Sequence, residues 1–354
     1  MKRKNVVTIG GGTGNFVVLT SLKPYPLNLS AVVSMADDGG SNAILRDELG
    51  VLPPSDISRC LVALSASEKW MRELMNFKFP SGRLRGHRVG NLFLSALEIM
   101  IGSFDAAVER ASEILRIKGN VIPVTLEKVK LVAYLKNGKI IKGENRLDEK
   151  IYSADAANLK KVSFQSSAKA NPKAIRAIRQ ADFIVVGPGD LYASLIPNFL
   201  VSGIPDAIQK SRAKKIYICN LMSKAGHAKK LGVIDFVNTV ESYLGVKFDY
   251  VVYNNHRPPS SLLRKYAQGR ESLVNYQAVS NFDKHGRRYV GADLVNRIPP
   301  KQVKGDLLSS ERSLIRHNPS RLGKLLTSVI FDSFDGSLRV NPVPVERVEK
   351  RRRK

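Results

Sequence analysis

The residues able to do chemistry in this chain fall in short loops. The first is Gly10-Gly11-Gly12-Thr13-Gly14, directly after the β-branched run Val6-Val7-Thr8-Ile9. Glycines let backbone N–H groups approach an anion with no Cβ in the way. A helix opening at the end of such a loop adds a favourable dipole. Gly11, Gly12, Thr13 and Gly14 are therefore candidate ligand contacts, and Thr13 adds a hydroxyl. The pattern is not the full G-x-G-x-x-G fingerprint, because Asn15 stands at the third glycine. No Gly-Lys-Ser/Thr of a P-loop follows. A bare glycine turn is the competing reading.

The second loop, Asp37-Asp38-Gly39-Gly40-Ser41, follows the apolar run Ala31-Val32-Val33. A carboxylate here can hydrogen-bond a ribose diol. Asp37 and Asp38 can instead share a Mg²⁺ with water and ligand phosphates, or one can act as a general base. Gly39 and Ser41 would complete the contact. A surface turn with an Asp cap for a helix at Asn42 is the alternative. Asp56, after Pro53-Pro54-Ser55, reads on its own as a helix cap. In Gly86-His87-Arg88-Val89-Gly90-Asn91, His87 could move a proton near neutral pH. His87, Arg88 and Asn91 could meet a phosphate. Gly187-Pro188-Gly189-Asp190-Leu191-Tyr192 is a second anion-facing loop, with Asp190 as a possible cap. Asn220 follows another strand-like run.

These loops need a framework that brings them together. Short apolar runs at Val6–Ile9, Ala31–Ser34, Phe183–Val186, Lys215–Cys219 and Tyr250–Tyr253 alternate with helical patterns. The helical patterns cover Phe16–Leu22, Asn42–Leu49, Leu61–Leu74, Asn91–Met100, Phe104–Leu115, Asn171–Gln180, Ile204–Ser211 and Leu231–Leu244. That alternation predicts an α/β, Rossmann-like doubly wound fold with a mainly parallel sheet. Ligands bind such sheets at the carboxyl ends of the strands. Val129–Leu135, Asn137-Gly138 and Lys139–Gly143 predict a β-hairpin with a type I′ turn, inserted at about 125–145. Residues 1–335 are expected to form one domain, followed by a basic tail over 336–354.

Composition sets the outer bounds. The chain has 354 residues, 43% of them hydrophobic, which is enough for a large core. No apolar run is long enough to span a membrane, and no secretory leader is evident, so a cytoplasmic location is expected. The two cysteines, Cys60 and Cys219, lack metal-ligand spacing. The net charge of +26 fits an anionic ligand, a nucleic-acid or membrane-surface partner, or a generally basic composition. Only the tail Lys350-Arg351-Arg352-Arg353-Lys354 is a dense basic run, and weak contact with RNA or an anionic surface through it is one reading.

Taken in order, the motifs resemble the bacterial gluconeogenesis-factor (morphogenesis factor) family, which is related to the 2-phospho-L-lactate transferases. They are Gly10–Gly14, Ala36–Ser41, Leu61–Ser65, Gly86-His87 with Gly90-Asn91-Leu92, Gly187–Gly189, Leu191-Tyr192, Tyr217–Asn220 and Arg316-His317-Asn318. The resemblance runs from about Asn5 to about Lys324. It implies UDP-sugar binding, a protein partner, and a role in cell shape and wall-precursor supply on gluconeogenic carbon. A homo-oligomer is also expected. It places ligand contacts at Gly11–Gly14, Asp37, Asp38 and Gly187–Gly189, with Tyr192, Asn220 and Arg316 as further contacts. Arg316 suits a diphosphate because guanidinium forks to two oxygens. The alternative it implies is a Mg²⁺-dependent transferase acting on a nucleotide-activated phosphoester, with Asp37, Asp38 or His87 in the chemistry. The chain departs from the family at Ser55, at Ser58-Arg59-Cys60, at Asp190 in place of Ser, and at Ser223-Lys224-Ala225-Gly226-His227.

Overall fold

The computed structural model describes residues 3–143, 159–223, 231–268, 271–277, 279–280, 282–297 and 315–331. β1 (Lys4–Gly10) is the centre of the main sheet, with Val6, Val7 and Ile9 buried. Strands buried on both faces read as continuous apolar runs, and this one does. α1 (Gly12–Leu22) leads to β2 (Leu27–Val33), which pairs parallel with β1. Five helices follow: α2 (Gly40–Leu49), α3 (Ser55–Leu64), α4 (Lys69–Asn76), α5 (Val89–Ile101) and α6 (Phe104–Ile114). β3 (Asn120–Pro123) then pairs parallel with β2.

The chain next leaves the main sheet. β4 (Leu131–Leu135), β5 (Ile140–Lys142) and β6 (Leu159–Phe164) form a small antiparallel sheet in the order β5-β4-β6. The expected hairpin is therefore present, with a third strand that its sequence did not announce. Its turn is not type I′. Gly138 alone takes a positive φ, 82°, and its N–H bonds Leu135. Lys139 N–H bonds the Asn137 side chain instead. Gly138 supplies the single left-handed residue of a longer loop.

α7 (Pro172–Gln180) returns the chain to β7 (Phe183–Val186), on the far side of β1. A π-helical turn (Leu191–Leu195), α8 (Ile196–Phe199) and α9 (Ile204–Lys210) precede β8 (Lys214–Ile218). β9 (Met222–Ser223), α10 (Val233–Leu244), β10 (Tyr250–Asn254), α11 (Ser260–Gln268), β11 (Ser272–Leu273) and β12 (Arg288–Ala292) follow, and α12 (Pro319–Ile330) packs on α1. The main sheet has seven parallel strands in the order β3-β2-β1-β7-β8-β10-β12. Strand order reverses between β1 and β7, the place where sheets of this kind bind ligands at their carboxyl edge.

One expected helix is two. Leu61–Leu74 breaks at Ser65, whose hydroxyl, like that of Ser67, donates to the Leu115 carbonyl. Serine hydroxyls that take backbone partners compete with helix continuation. Cys60 and Cys219 are buried free thiols. Among the described residues no helix is long and apolar enough to cross a membrane. The basic tail lies outside the described residues.

Candidate functional site

The loop after β1 is shaped by what presses on it. A Cβ on Gly14 would lie 1.7 Å from the Pro188 carbonyl oxygen, so the loops after β1 and β7 meet backbone to backbone. A Cβ on Gly12 would come within 2.4 Å of the Asp56 carboxylate, and one on Gly11 within 2.7 Å of the Ser194 side chain. Gly11 and Gly12 thus make room for protein neighbours as well as for any ligand. Asn15 has a structural task. Its amide donates to the Gly10 carbonyl at 3.2 Å and to the Val32 carbonyl at 3.4 Å, tying β1 to β2.

Two helices begin beside this switch point on glycine. Gly11 caps α1 and Gly39 caps α2, and neither position has a side chain to satisfy the first-turn N–H groups. Elsewhere Ser103, Asn171 and Asn318 cap α6, α7 and α12 with their side chains. Bare helix N-termini keep donors for an anion. Ser41 is half-buried in the first turn of α2.

The carboxylates group differently from their sequence order. Asp56, second residue of α3, accepts the Gly12 N–H. Its carboxyl is pushed up to about 6, first by burial and then by the Asp37 charge, with Arg59 and Arg88 opposing. Asp37 is also raised, chiefly by burial. The Gly39 N–H (3.1 Å), Asn42 and Arg59 hold it back, while Asp38 adds a smaller push. The acid pair at the glycine loop is therefore Asp37 with Asp56. Asp38 lies toward the small sheet, 3.0 Å from where a Gly143 Cβ would be. Arg59 donates to the Thr13 hydroxyl. Arg59 stands three residues after Asp56, on the same face of α3, and that spacing is the signal that could have placed it in the site.

Across the switch point, Asn220 clamps the second glycine loop. Its Oδ1 accepts the Gly189 N–H at 3.1 Å, and its Nδ2 donates to the Gly189 carbonyl at 2.7 Å. Asp190 caps the π-helical turn, accepting from the N–H groups of Tyr192 (3.2 Å) and Ala193 (2.9 Å). Both of those donors go to one carboxylate oxygen, Oδ1. Tyr192 is half-buried, and burial pushes its phenol up to about 12.

His87 and Asn91 act one layer away. Asn91 accepts the Ser58 hydroxyl at 2.7 Å, and Gly90 lets α5 approach the Met75 carbonyl. His87 is buried, with its backbone bonded to Phe79 and Leu84. From this loop it is Arg88 whose charge reaches Asp56. Arg316 lies beside the carboxyl end of β12, where its carbonyl accepts the Asn296 N–H at 2.7 Å. His317 is buried, bonds the Cys219 backbone next to Asn220, and is pushed down to about 4 by burial. Ser223 is described, but Lys224–His227 lie outside the described residues. No group of three or more His, Cys, Asp or Glu able to hold a metal occurs among the described residues.

Comparison with known proteins identifies the family and the fold. The sequence pattern described as 2-phospho-L-lactate transferase CofD matches residues 6–295. The Bacillus subtilis protein named gluconeogenesis factor is 32% identical over 333 residues, covering 93% of this chain and 99% of that one. A Nostoc relative is 40% identical over 326 residues, covering 91% of this chain and 67% of its own. A crystal structure of a Bacillus halodurans protein superimposes with a TM-score of 0.79 at 32% identity, covering 92% of this chain and all of that one. The chain belongs to the gluconeogenesis-factor family, within the wider 2-phospho-L-lactate transferase (CofD) superfamily.

Proposed function

We propose that this protein binds a nucleotide diphosphate, of the UDP-sugar class, at the switch point between Gly10–Gly14 and Gly187–Gly189. It then acts as a regulator of cell shape and wall-precursor supply during gluconeogenic growth. The observation that carries the reading is the contact of the two loops at the sheet's switch point. There, glycine-capped helices leave N–H groups for phosphate oxygens. Relatives named gluconeogenesis factor support the link to gluconeogenic growth. Isothermal titration of UDP-N-acetylglucosamine into the full chain tests it. Saturable binding in the micromolar range is expected, and no heat at millimolar ligand would contradict it.

A second reading is transfer chemistry, favoured by the Asp37–Asp56 pair. Two carboxylates raised by burial, Asp56 further by the Asp37 charge and Asp37 further by Asp38, beside a phosphate loop, call for a cation. Arg59 supplies one positive charge, and Mg²⁺ fits as the second. Asp37 and Asp56 would hold it, with the remaining oxygens from phosphate and water. The metal would supply charge neutralisation on the phosphates. Arg59 and Arg88 would steady the same charge, and Asn220 would hold the Gly187–Gly189 loop in place through both of its bonds to Gly189. A transferase requires Asp56, so an Asp56→Asn variant that kept full Mg²⁺-dependent turnover would contradict this reading.

A further inference from the structure

The opposite edge of the main sheet carries a cavity that the proposed function leaves unused. It has a volume of about 760 Å³ and lies where β1, β2 and β3 begin. Arg3, Lys23, Tyr25, Asn28, Lys118 and Asn120 line it. The three cations come from three separate segments: the approach to β1, the end of α1 and the approach to β3. No ion pair joins Arg3, Lys23 or Lys118 to a carboxylate among the described residues. Asp182, the carboxylate next along this edge, accepts the Asn5 N–H at 2.7 Å.

Helix capping accounts for one of these charges. Lys23 donates to the Ser65 carbonyl at 3.0 Å, at the C-terminus of α3, where a cation is favoured. It does not account for Arg3 and Lys118. The Lys23 ammonium is held below its ordinary range by burial and by the charges of Arg72 and Lys118. Like charges gathered in a concave site lower their own energy by taking up an anion.

We propose that this cavity is a second ligand site, for a small phosphorylated molecule carrying at least two negative charges. Its concavity favours a small ligand over a nucleic-acid strand, which tracks an open basic groove. α1 runs from the glycine loop to Lys23, so one rigid helix of roughly 16 Å joins the two sites. An anion bound at Lys23 would then bear on the helix whose N-terminus faces the first site.

Borohydride trapping of pyridoxal 5′-phosphate on the full chain tests the proposal. The aldehyde condenses with a lysine amine, water leaves, and borohydride reduces the imine to a stable amine that mass spectrometry can map. Lys23 and Lys118 are expected among the most rapidly labelled lysines, with millimolar inorganic tripolyphosphate reducing their labelling about tenfold. The Arg3→Gln variant keeps the Lys23–Ser65 bond and should raise the tripolyphosphate concentration needed by about tenfold. Labelling spread over exposed lysines without tripolyphosphate protection would overturn the proposal. Stronger protection by a single-stranded RNA oligonucleotide than by tripolyphosphate would also overturn it, in favour of a nucleic-acid face.

Discussion

At the carboxyl edge of the sheet, burial and neighbouring carboxylates hold Asp37 and Asp56 above the usual carboxylate range. At the amino edge, burial and two neighbouring cations hold Lys23 below the usual ammonium range. The same physics acts in opposite directions. Desolvation disfavours whichever form is charged, and like charges add to it. Each edge therefore holds charge of one sign that the protein only partly compensates. The carboxyl edge adds glycine backbone and bare helix N-termini, which select phosphate and make a cation its natural companion. The amino edge adds only cations and amides, which select the anion alone.

The sharpest way to break this contrast is to part the two loops at the carboxyl edge. Gly14→Ala puts a Cβ on the Pro188 carbonyl, and overpacking of this kind costs about 3 kcal/mol. Urea denaturation should show that loss, and nucleotide binding should fall with it. The Gly40→Ala control strains a positive φ in open space and should cost about 1 kcal/mol.

Next in size is the buried His317. Its pKa is lowered on folding, so the unfolded chain takes up a proton that the native chain refuses. Stability present above about pH 6.5 is then lost as pH falls toward 4, by about 3 kcal/mol. Denaturation midpoints across that range should slope in the wild type and flatten in His317→Gln.

Asp56 gives the opposite sign. Its pKa is raised on folding, so its contribution favours the fold at low pH and is lost as pH rises from about 4 through about 6. Asp56→Asn keeps an acceptor for the Gly12 N–H and removes the buried charge. It should stabilise the protein by about 1 kcal/mol at pH 7.5 while weakening Mg²⁺-dependent nucleotide binding at least tenfold. A variant with unchanged stability and unchanged binding would remove the acid pair from the account.

The smallest expected effect is at Asn220. Asn220→Ala loses both bonds to Gly189, worth about 1 kcal/mol, and should weaken nucleotide binding roughly fivefold with little change in midpoint. Titration of wild type and variant side by side checks it.

Much of the carboxyl edge was legible in the sequence because it is local. Glycine after an apolar run, and Asp-Asp-Gly-Gly after another, announce strand–loop–helix units by spacing alone. The pairing of Asp37 with Asp56 was not legible. Adjacency in sequence pointed to Asp38, whereas it is α3 folding beneath the glycine loop that brings Asp56 to Gly12. Asn220 read as a ligand contact because it follows a strand. Its amide is spent on Gly189, a partner 31 residues away in sequence. β6 and β12 were missed because Leu159–Phe164 alternates with lysines and Arg288–Ala292 carries Arg and Gly, and tertiary pairing overrides weak strand propensity. The amino-edge cavity was invisible for a similar reason. Arg3, Lys23 and Lys118 are spread over more than a hundred residues and read as part of a general basic composition.

The central claim is that a nucleotide diphosphate sits where the loops after β1 and β7 meet. A crystal structure of the full chain grown with UDP-N-acetylglucosamine and Mg²⁺ tests it most directly. The account predicts diphosphate density within hydrogen-bond reach of the α1 N-terminus at Gly11, Thr13 and Gly14 and against the Gly187–Gly189 loop, with Asp37 and Asp56 facing the cation. Ligand density confined to the amino-edge cavity, or a diphosphate turned away from both glycine loops, would contradict it.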